Sequence, residues 1–308
     1  MIIDFHTHVG DIRSTDRMDH TPVTFENLIE RLDDEGIDKA VLLPLGGTPE
    51  AAQFPALFSP YPDIVSLLKA ASEHADRIVP FGNLDPRMGG MGNKRHDFTG
   101  TDFSWILERF TEMGCVGIGE VTANIPFDDP RVISMMKQCG DWDLPVLFHC
   151  APPGLGFYGL IDEAGSPKLE RMLQQVPDTT IVGHSTGFWA EMDGNITNET
   201  KSTYPEGPIT KEGSLPRLLR TYPNLYADIS ANSGYNALTR DREYGIRFLK
   251  EFQDRIIFGT DVCFADKESR MPHLSFLRGL LDEGAIGREI FDKITSGNGL
   301  RILKRYKG

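Results

Sequence analysis

The chain has 308 residues, 40% of them hydrophobic, with a formal net charge of -13 at pH 7 and a pI near 5.1. That length fits one large α/β barrel or two ordinary domains, with ample apolar material for a core. The acidic balance repels phosphate backbones and argues against nucleic acid as a partner, and no apolar run approaches a membrane span. No basic lead or apolar targeting stretch is visible, and Cys115, Cys139, Cys150 and Cys263 are scattered with no C-x-x-C pair. Free thiols in a reducing, cytoplasmic compartment are therefore expected.

The chain opens on Ile2-Ile3-Asp4-Phe5-His6-Thr7-His8, a short buried strand ending in two histidines. Alternate side chains of a strand share a face, so His6 and His8 should project together, with Asp4 lower on the same face. A helix follows, with Phe25, Leu28, Ile29 and Leu32 at helical spacing, Thr24 as N-cap and Gly36 as stop. The same stripe recurs over Ile64–Ala71, Phe103–Phe110, Val132–Cys139, Leu169–Val176, Leu215–Tyr222 and Gly245–Phe252, and a last helix carries Leu274, Leu277 and Leu281. Between them lie the nearly continuous apolar runs of parallel strands buried on both faces. After the first strand these are Ala40–Leu43, Ile78–Leu84, Val116–Val121, Val146–His149, Thr180–His184, Leu225–Ser230 and Ile256–Thr260, making eight in all. The alternation predicts an α/β fold of the (β/α)₈ TIM-barrel type, one domain over residues 1–308, with the segment Ile286 to Tyr306 packed outside. An open doubly wound sheet would carry a Gly-rich phosphate turn after an early strand, and none is present. The connections 9–23, 151–167 and 185–213 are long, as lid loops over a functional rim would be.

Chemistry in such barrels gathers where strands end. Those ends carry His6, His8, Glu120, His149, His184 and Asp261, which include four of the eight histidines. A buried carboxylate at an apolar strand end needs a cation or a hydrogen-bond donor. Several imidazoles with one or two carboxylates suit Zn²⁺ or another first-row divalent ion. The plainer reading, polar caps on barrel-rim backbone groups, has weight for Glu120 alone and little for the set. His20, His74, His96 and His273 fall in loops or on helix surfaces and are expected to be solvated.

His6-Thr-His8, His149, His184 and Gly259-Thr260-Asp261, in this order on these strands, resemble the amidohydrolase superfamily. The likeness is to its amidohydrolase 2 branch, which includes aminocarboxymuconate semialdehyde decarboxylase, resorcylate-type decarboxylases and hydrolases or lactonases of small acids. Leu225–Ser230, Ile256–Asp261 and the Asn298-Gly-Leu-Arg-Ile-Leu run are similar too, so the resemblance spans essentially the whole chain. It implies that His6, His8, His149 and Asp261 hold one metal ion, with His184 a non-ligand acid or base. Gly119-Glu120-Val121 departs from that branch. It is more like the TatD nucleases and phosphotriesterase-like members, in which a strand-four carboxylate or carbamylated lysine bridges two metals and the strand-six histidine ligates the second. Thr122-Ala123-Asn124 then stands where TatD proteins have Gly-Leu-Asp. One or two divalent ions, zinc first, thus remain open.

A metal ion lowers the pKa of its water to roughly 7. Asp261 is the expected base, with His184 orienting the water, donating a proton or holding a second ion. The expected activity is hydrolysis of a C–N or C–O bond (amide, lactone or ester) in a small, carboxylate-bearing molecule. The alternative is a decarboxylase or hydratase of a small carboxylic acid. A TatD-type phosphodiesterase is disfavoured by the net charge, and a binding module would carry a damaged metal set. Arg87 could clamp a substrate carboxylate, or simply form a rim ion pair. Phe157, Tyr158, Phe188 and Trp189 could wall an apolar pocket, or simply anchor the long loops. Asn232 and Ser233 are candidate polar contacts, with Tyr235 nearby as packing. The expected partner is a small-molecule substrate, with a homodimer left open.

Overall fold

The structure is a computed structural model that describes residues 1–12, 19–45, 63–90, 101–154 and 158–308. Its strands are β1 (Ile3–Thr7), β2 (Lys39–Leu42), β3 (Ile78–Pro80), β4 (Ile118–Val121), β5 (Val146–Ala151), β6 (Leu160–Ile161), β7 (Ile181–His184), β8 (Leu225–Asp228) and β9 (Ile256–Ile257). All except β6 sit on the apolar runs read from the sequence. The two-residue β6 pairs with β5 inside the long connection that follows it. The pairings are parallel, in the orders β1-β2-β3 and β4-β5-β7-β8-β9. Backbone hydrogen bonds close both seams. Gly82 N donates to Gly117 O (2.9 Å) and Gly119 N to Gly82 O (2.8 Å), while Phe5 N donates to Phe258 O (3.0 Å) and Asp261 N to His6 O (2.8 Å). The result is a closed parallel barrel.

The helices are α1 (Phe25–Glu35), α2 (Ile64–Ser72), α3 (Ser104–Glu112), α4 (Pro130–Asp141), α5 (Pro167–Gln175), α6 (Thr186–Trp189), α7 (Ser214–Thr221), α8 (Ala231–Thr239), α9 (Arg242–Glu251), α10 (His273–Asp282), α11 (Arg288–Asp292) and α12 (Asn298–Ile302). α1 starts and stops where its end signals lie. The Thr24 hydroxyl accepts from Asn27 N, Asn27 Oδ1 accepts from Thr24 N, and Gly36 takes the left-handed conformation at φ 67°. The apolar stripes of α1, α4, α5 and α7 pack on the outside of the barrel with Leu28, Met135, Leu173 and Leu218. Ile3, Phe5, Val41, Phe81, Leu147 and Val182 belong to a separate interior cluster, which Ile302 and Leu303 also join. The C-terminal segment packs on the outer layer through Ile286, Phe291 and Ile294. Its end reaches the interior apolar cluster instead, because two large aliphatic side chains fall together there.

The register of β1 against β2 shifts between Asp4 and Thr7. One extra residue in a strand re-aims the side chains beyond it. Asp4 consequently does not share the face of His6 and His8, contrary to strict alternation. It accepts from Arg31 Nη2 on α1 (2.8 Å), Thr260 Oγ1 (2.6 Å) and Thr260 N (2.9 Å), tying β1 to the helix layer and to the chain after β9.

A buried ion pair braces the connection 185–213, and a backbone N–H of the connection 151–167 is tied to it. Lys201 is fully buried and donates from Nζ to Glu191 Oε1 at 2.5 Å, while Glu191 also accepts from Ser214 Oγ (2.7 Å) and Gly165 N (2.9 Å). Removing one partner of a buried pair strands the other charge in a dry site. Lys201→Met is expected to cost about 3–5 kcal/mol in urea unfolding. The double change with Glu191→Gln should recover much of that loss. Among the described residues no helix is long and apolar enough to cross a membrane, and the four cysteines form no disulfide.

Candidate metal centre

Rim residues of β1, β4, β5 and β7, and of the chain after β9, converge on one point. His8 Nδ1 lies 2.8 Å from Leu43 O, a group that can only accept, so this nitrogen carries the proton. His6 Nδ1 lies 2.6 Å from Asp228 Oδ2. Burial opposes the charge on Asp228, but His6 and His184 beside it outweigh burial and hold its carboxyl well below the ordinary range. Asp228 is therefore an ionised acceptor, and His6 Nδ1 also carries its proton. Both Nε2 atoms are left as lone-pair donors, 3.1 Å apart. Asp261 Oδ1 lies 3.5 Å from His6 Nε2 and 3.0 Å from His8 Nε2, and Glu120 Oε2 lies 3.8 and 3.9 Å from the same two atoms.

Burial opposes ionisation of Glu120, yet the hydrogen bond and charge of His149, then His6 and His184, push it down to about 2. Asp261 likewise lies well below its ordinary value, with His6, His184 and His8 outweighing burial. Conversely, burial opposes charge on His8 and His184, but Asp261 raises both, aided by Glu120 and, for His184, by Asp228. A buried point with ionised carboxylates and inward lone pairs calls for positive charge, which protons or a cation can supply. Three-residue sets from His6, His8, Glu120, His149, His184, Asp261 and Cys263 place ligand atoms within 4.8 Å of one another. The donor chemistry fits a divalent cation.

Around this point, Glu120 Oε1 holds His149 Nδ1 at 2.7 Å, and burial lowers the pKa of His149. Tyr158 stacks on the His149 ring, 4.3 Å between centroids. Ser230 Oγ donates to Asp228 Oδ2 (2.5 Å) and lies 3.1 Å from His6 Nδ1 and 2.9 Å from His184 Nδ1. Ser185, Ala231 and Asp261 hold left-handed backbone, at φ 102°, 57° and 57°, one to three residues after β7 and β8 and shortly after β9. Such strain concentrates at functional rims. Two cavities open over the centre. One of about 320 Å³ is lined by His149, His184, Ser233 and Asp261, and one of about 850 Å³ by His8, Glu120, Asn232 and Cys263. Tyr158, Tyr204, Ala231 and Asp261 line both, so the two are contiguous.

The amidohydrolase family profile (Amidohydro_2, "Amidohydrolase") matches residues 3–305. The chain belongs to the amidohydrolase family. It is accordingly an enzyme, a metal-dependent hydrolase or lyase. Solved structures of the same fold include a probable 2-pyrone-4,6-dicarboxylic acid hydrolase from Acinetobacter baumannii with citric acid bound, at 17% identity, TM-score 0.59 and 98% coverage of each chain. A dihydroxybenzoic acid decarboxylase from a Polaromonas species, with manganese and the inhibitor 2-nitroresorcinol, matches at 14% identity, TM-score 0.58 and coverage of 100% of this chain and 98% of that one. The 4-oxalomesaconate hydratase of Rhodopseudomonas palustris matches at 13% identity, TM-score 0.55 and coverage of 99% and 96%. At these identities the likeness speaks for the barrel alone. No curated protein matches the chain.

All six rim residues named from this amidohydrolase's sequence meet at the centre. Asn232 and Tyr158 line the cavity, and Phe157 lies outside the described residues. Trp189 does not line either cavity. It is buried, donates from Nε1 to Asp228 O at 2.8 Å, and packs on Phe188 and Phe248. Phe188 is buried too, against Gly183, where a Cβ would overlap its ring. The chain turns into α6 directly after β7, and that carries both aromatics into the outer layer. Arg87 also misses the cavities, since Asp85 holds its guanidinium through Nε (2.9 Å) and Nη2 (2.6 Å). His273 is buried rather than solvated, with Nε2 2.9 Å from Ala231 O, and Tyr235 packs on its ring. His20 lies 3.1 Å from Asp266 Oδ2 and stacks on Phe264, His74 stacks on Phe25, and His96 lies outside the described residues.

Sequence alone assigns Asp228 and Ser230 no role. The signal was an Asp-x-Ser at a strand end, two residues apart and so on one face, in a run otherwise apolar. Asp228→Asn should leave the barrel folded and weaken cation binding about 10–100-fold in chelator competition, because it no longer fixes His6 as the Nδ1–H tautomer.

Proposed function

We propose that this protein hydrolyses a C–N or C–O bond, in an amide, lactone or ester, of a small carboxylate-bearing molecule, using a divalent cation, zinc first. The observation that carries the reading is the pair of inward lone pairs on His6 and His8, facing Asp261 and Glu120 at 3.0 to 3.9 Å. His6, His8 and Asp261 would hold the first cation, with Glu120, His149 and His184 completing that site or holding a second. A cation there supplies Lewis acidity, polarising a carbonyl or carboxylate oxygen and acidifying water.

Asp261 is ionised and lines both cavities, so it can take a proton from water at the cavity face. His184 Nε2 lies 3.5 Å from Asp261 Oδ2 and can return that proton to the leaving group. Glu120 orients His149, and Tyr158 covers the His149 ring against water. One observation favours the lyase alternative. His184 lines the cavity beside Asp261, with its Nε2 3.5 Å from Asp261 Oδ2, a position from which it could deliver a proton to carbon in a decarboxylation. Free cysteines support a cytoplasmic location, and one barrel spanning residues 1–308 supports a single domain.

The test is a panel of amides, lactones, esters and aromatic carboxylic acids, with elemental analysis of the same preparation. Hydrolysis that follows bound metal and ceases on chelation is the expected result. Carbon dioxide release would select the lyase, and a folded protein that binds no divalent ion would overturn both. Glu120→Gln then counts ions. Loss of one of two bound metals, together with activity, identifies Glu120 as a bridge. Unchanged metal content places it behind His149.

A further inference from the structure

We infer that the N-terminus of α8 is a carboxylate subsite beside the metal centre, formed by Asn232 N–H, Ser233 N–H and the Ser233 hydroxyl. α8 has nine residues, and its N-cap is Ser230. A serine at that position ordinarily accepts from the N–H groups of the first turn. Here the Ser230 hydroxyl is diverted to Asp228, His6 and His184, and no side-chain cap bond forms. Ala231 N donates to Thr260 O (3.1 Å) and Gly234 N to Ser230 O (3.3 Å). No partner for Asn232 N or Ser233 N is found among the described residues. These donors stand at the positive end of the helix dipole, where anions bind.

An independent observation points the same way. Ser233 is 4% exposed, its Oγ has no hydrogen-bond partner among the described residues, and the residue lines the cavity that His149, His184 and Asp261 also line. A buried hydroxyl without a partner is costly unless something it binds completes it. Asn232 lines the adjoining cavity. A small acid can therefore present its reacting group to the metal centre and a second, unreacting carboxylate to α8, while Arg87 stays with Asp85.

The subsite rests on the proposed metal-dependent reading, and the test separates the two. Succinate and its monoamide, succinamate, are titrated calorimetrically into zinc-loaded protein whose metal content is measured on the same sample. Both can place one carboxylate on the cation, but only succinate has another for α8. Succinate is expected to bind about tenfold tighter than succinamate, the scale of a hydrogen bond to a charged group. Ser233→Ala should shrink that preference. Ser233→Asp, which suits the first turn of a helix and puts a charge in the subsite, should abolish it. No preference in the wild-type protein, no succinate binding, or a preference that survives both variants would overturn the subsite. Failure to retain zinc would instead strike the metal-dependent reading.

Discussion

Asp261→Asn is expected to lower kcat roughly 10²–10⁴-fold, the usual contribution of a positioned general base, with unchanged circular dichroism and retained, weakened metal binding. The expectation follows from how the carboxylates divide their work. Asp228 is wholly buried and fully engaged with His6 and Ser230, and Glu120 spends one oxygen on His149. Asp261 is the carboxylate of the centre whose side chain is 18% exposed and which lines both cavities. Its Oδ1 faces His8 and its Oδ2 faces His184, so one oxygen can bind a cation while the other receives a proton. Asparagine keeps an oxygen for the cation and offers no base. Activity within a few-fold of wild type at saturating zinc would remove Asp261 from the role of base.

The barrel was legible because parallel strands buried on both faces leave continuous apolar runs, and each covering helix leaves one stripe. The six rim residues were legible for a related reason. A histidine or carboxylate at the end of such a run has no cheap alternative use. What could not be read depends on register and on contacts between distant segments. Strict alternation puts Asp4 on the face of His6 and cannot foresee the shift between Asp4 and Thr7. Trp189 reads as a pocket wall because it lies in the long connection after His184. Only the immediate turn into α6 shows that it belongs to the core. Ser230-Ala-Asn-Ser-Gly carries no helical stripe, since Ser, Asn and Gly favour turns. It starts a helix because β8 and the chain after β9 hold Ser230 and Ala231 in place, through Asp228 Oδ1 and Thr260 O. Lys201 could not be matched to Glu191 by any local pattern, since ten residues of irregular chain separate them.

Chelated protein should be most stable close to pH 6.5 and lose stability on both sides. Above 6.5, the ordinary histidine value, unfolded His8 and His184 release their protons while the folded rings keep them, because both folded values are raised. The folded state then binds more protons, and each histidine subtracts about 1.4 kcal/mol per pH unit until its folded value is passed. Below 6.5 the folded value of His149 is lowered, so the unfolded state takes up the proton first and stability falls. Below about 4.5, Glu120, Asp228 and Asp261 act in the same direction, since their folded values are depressed and the unfolded carboxylates protonate first. A divalent cation replaces the protons that His8 and His184 otherwise supply, and its affinity rises with pH as the ligands lose them. Saturating zinc or manganese should therefore remove the alkaline decline and leave the acid one. The measurement is Tm from pH 4 to 9, with chelator and with each metal. A chelated Tm that stays flat from 6.5 to 8.5 would mean that the buried carboxylates are not neutralised through His8 and His184, and the charge argument for a cation at this point would fail with it.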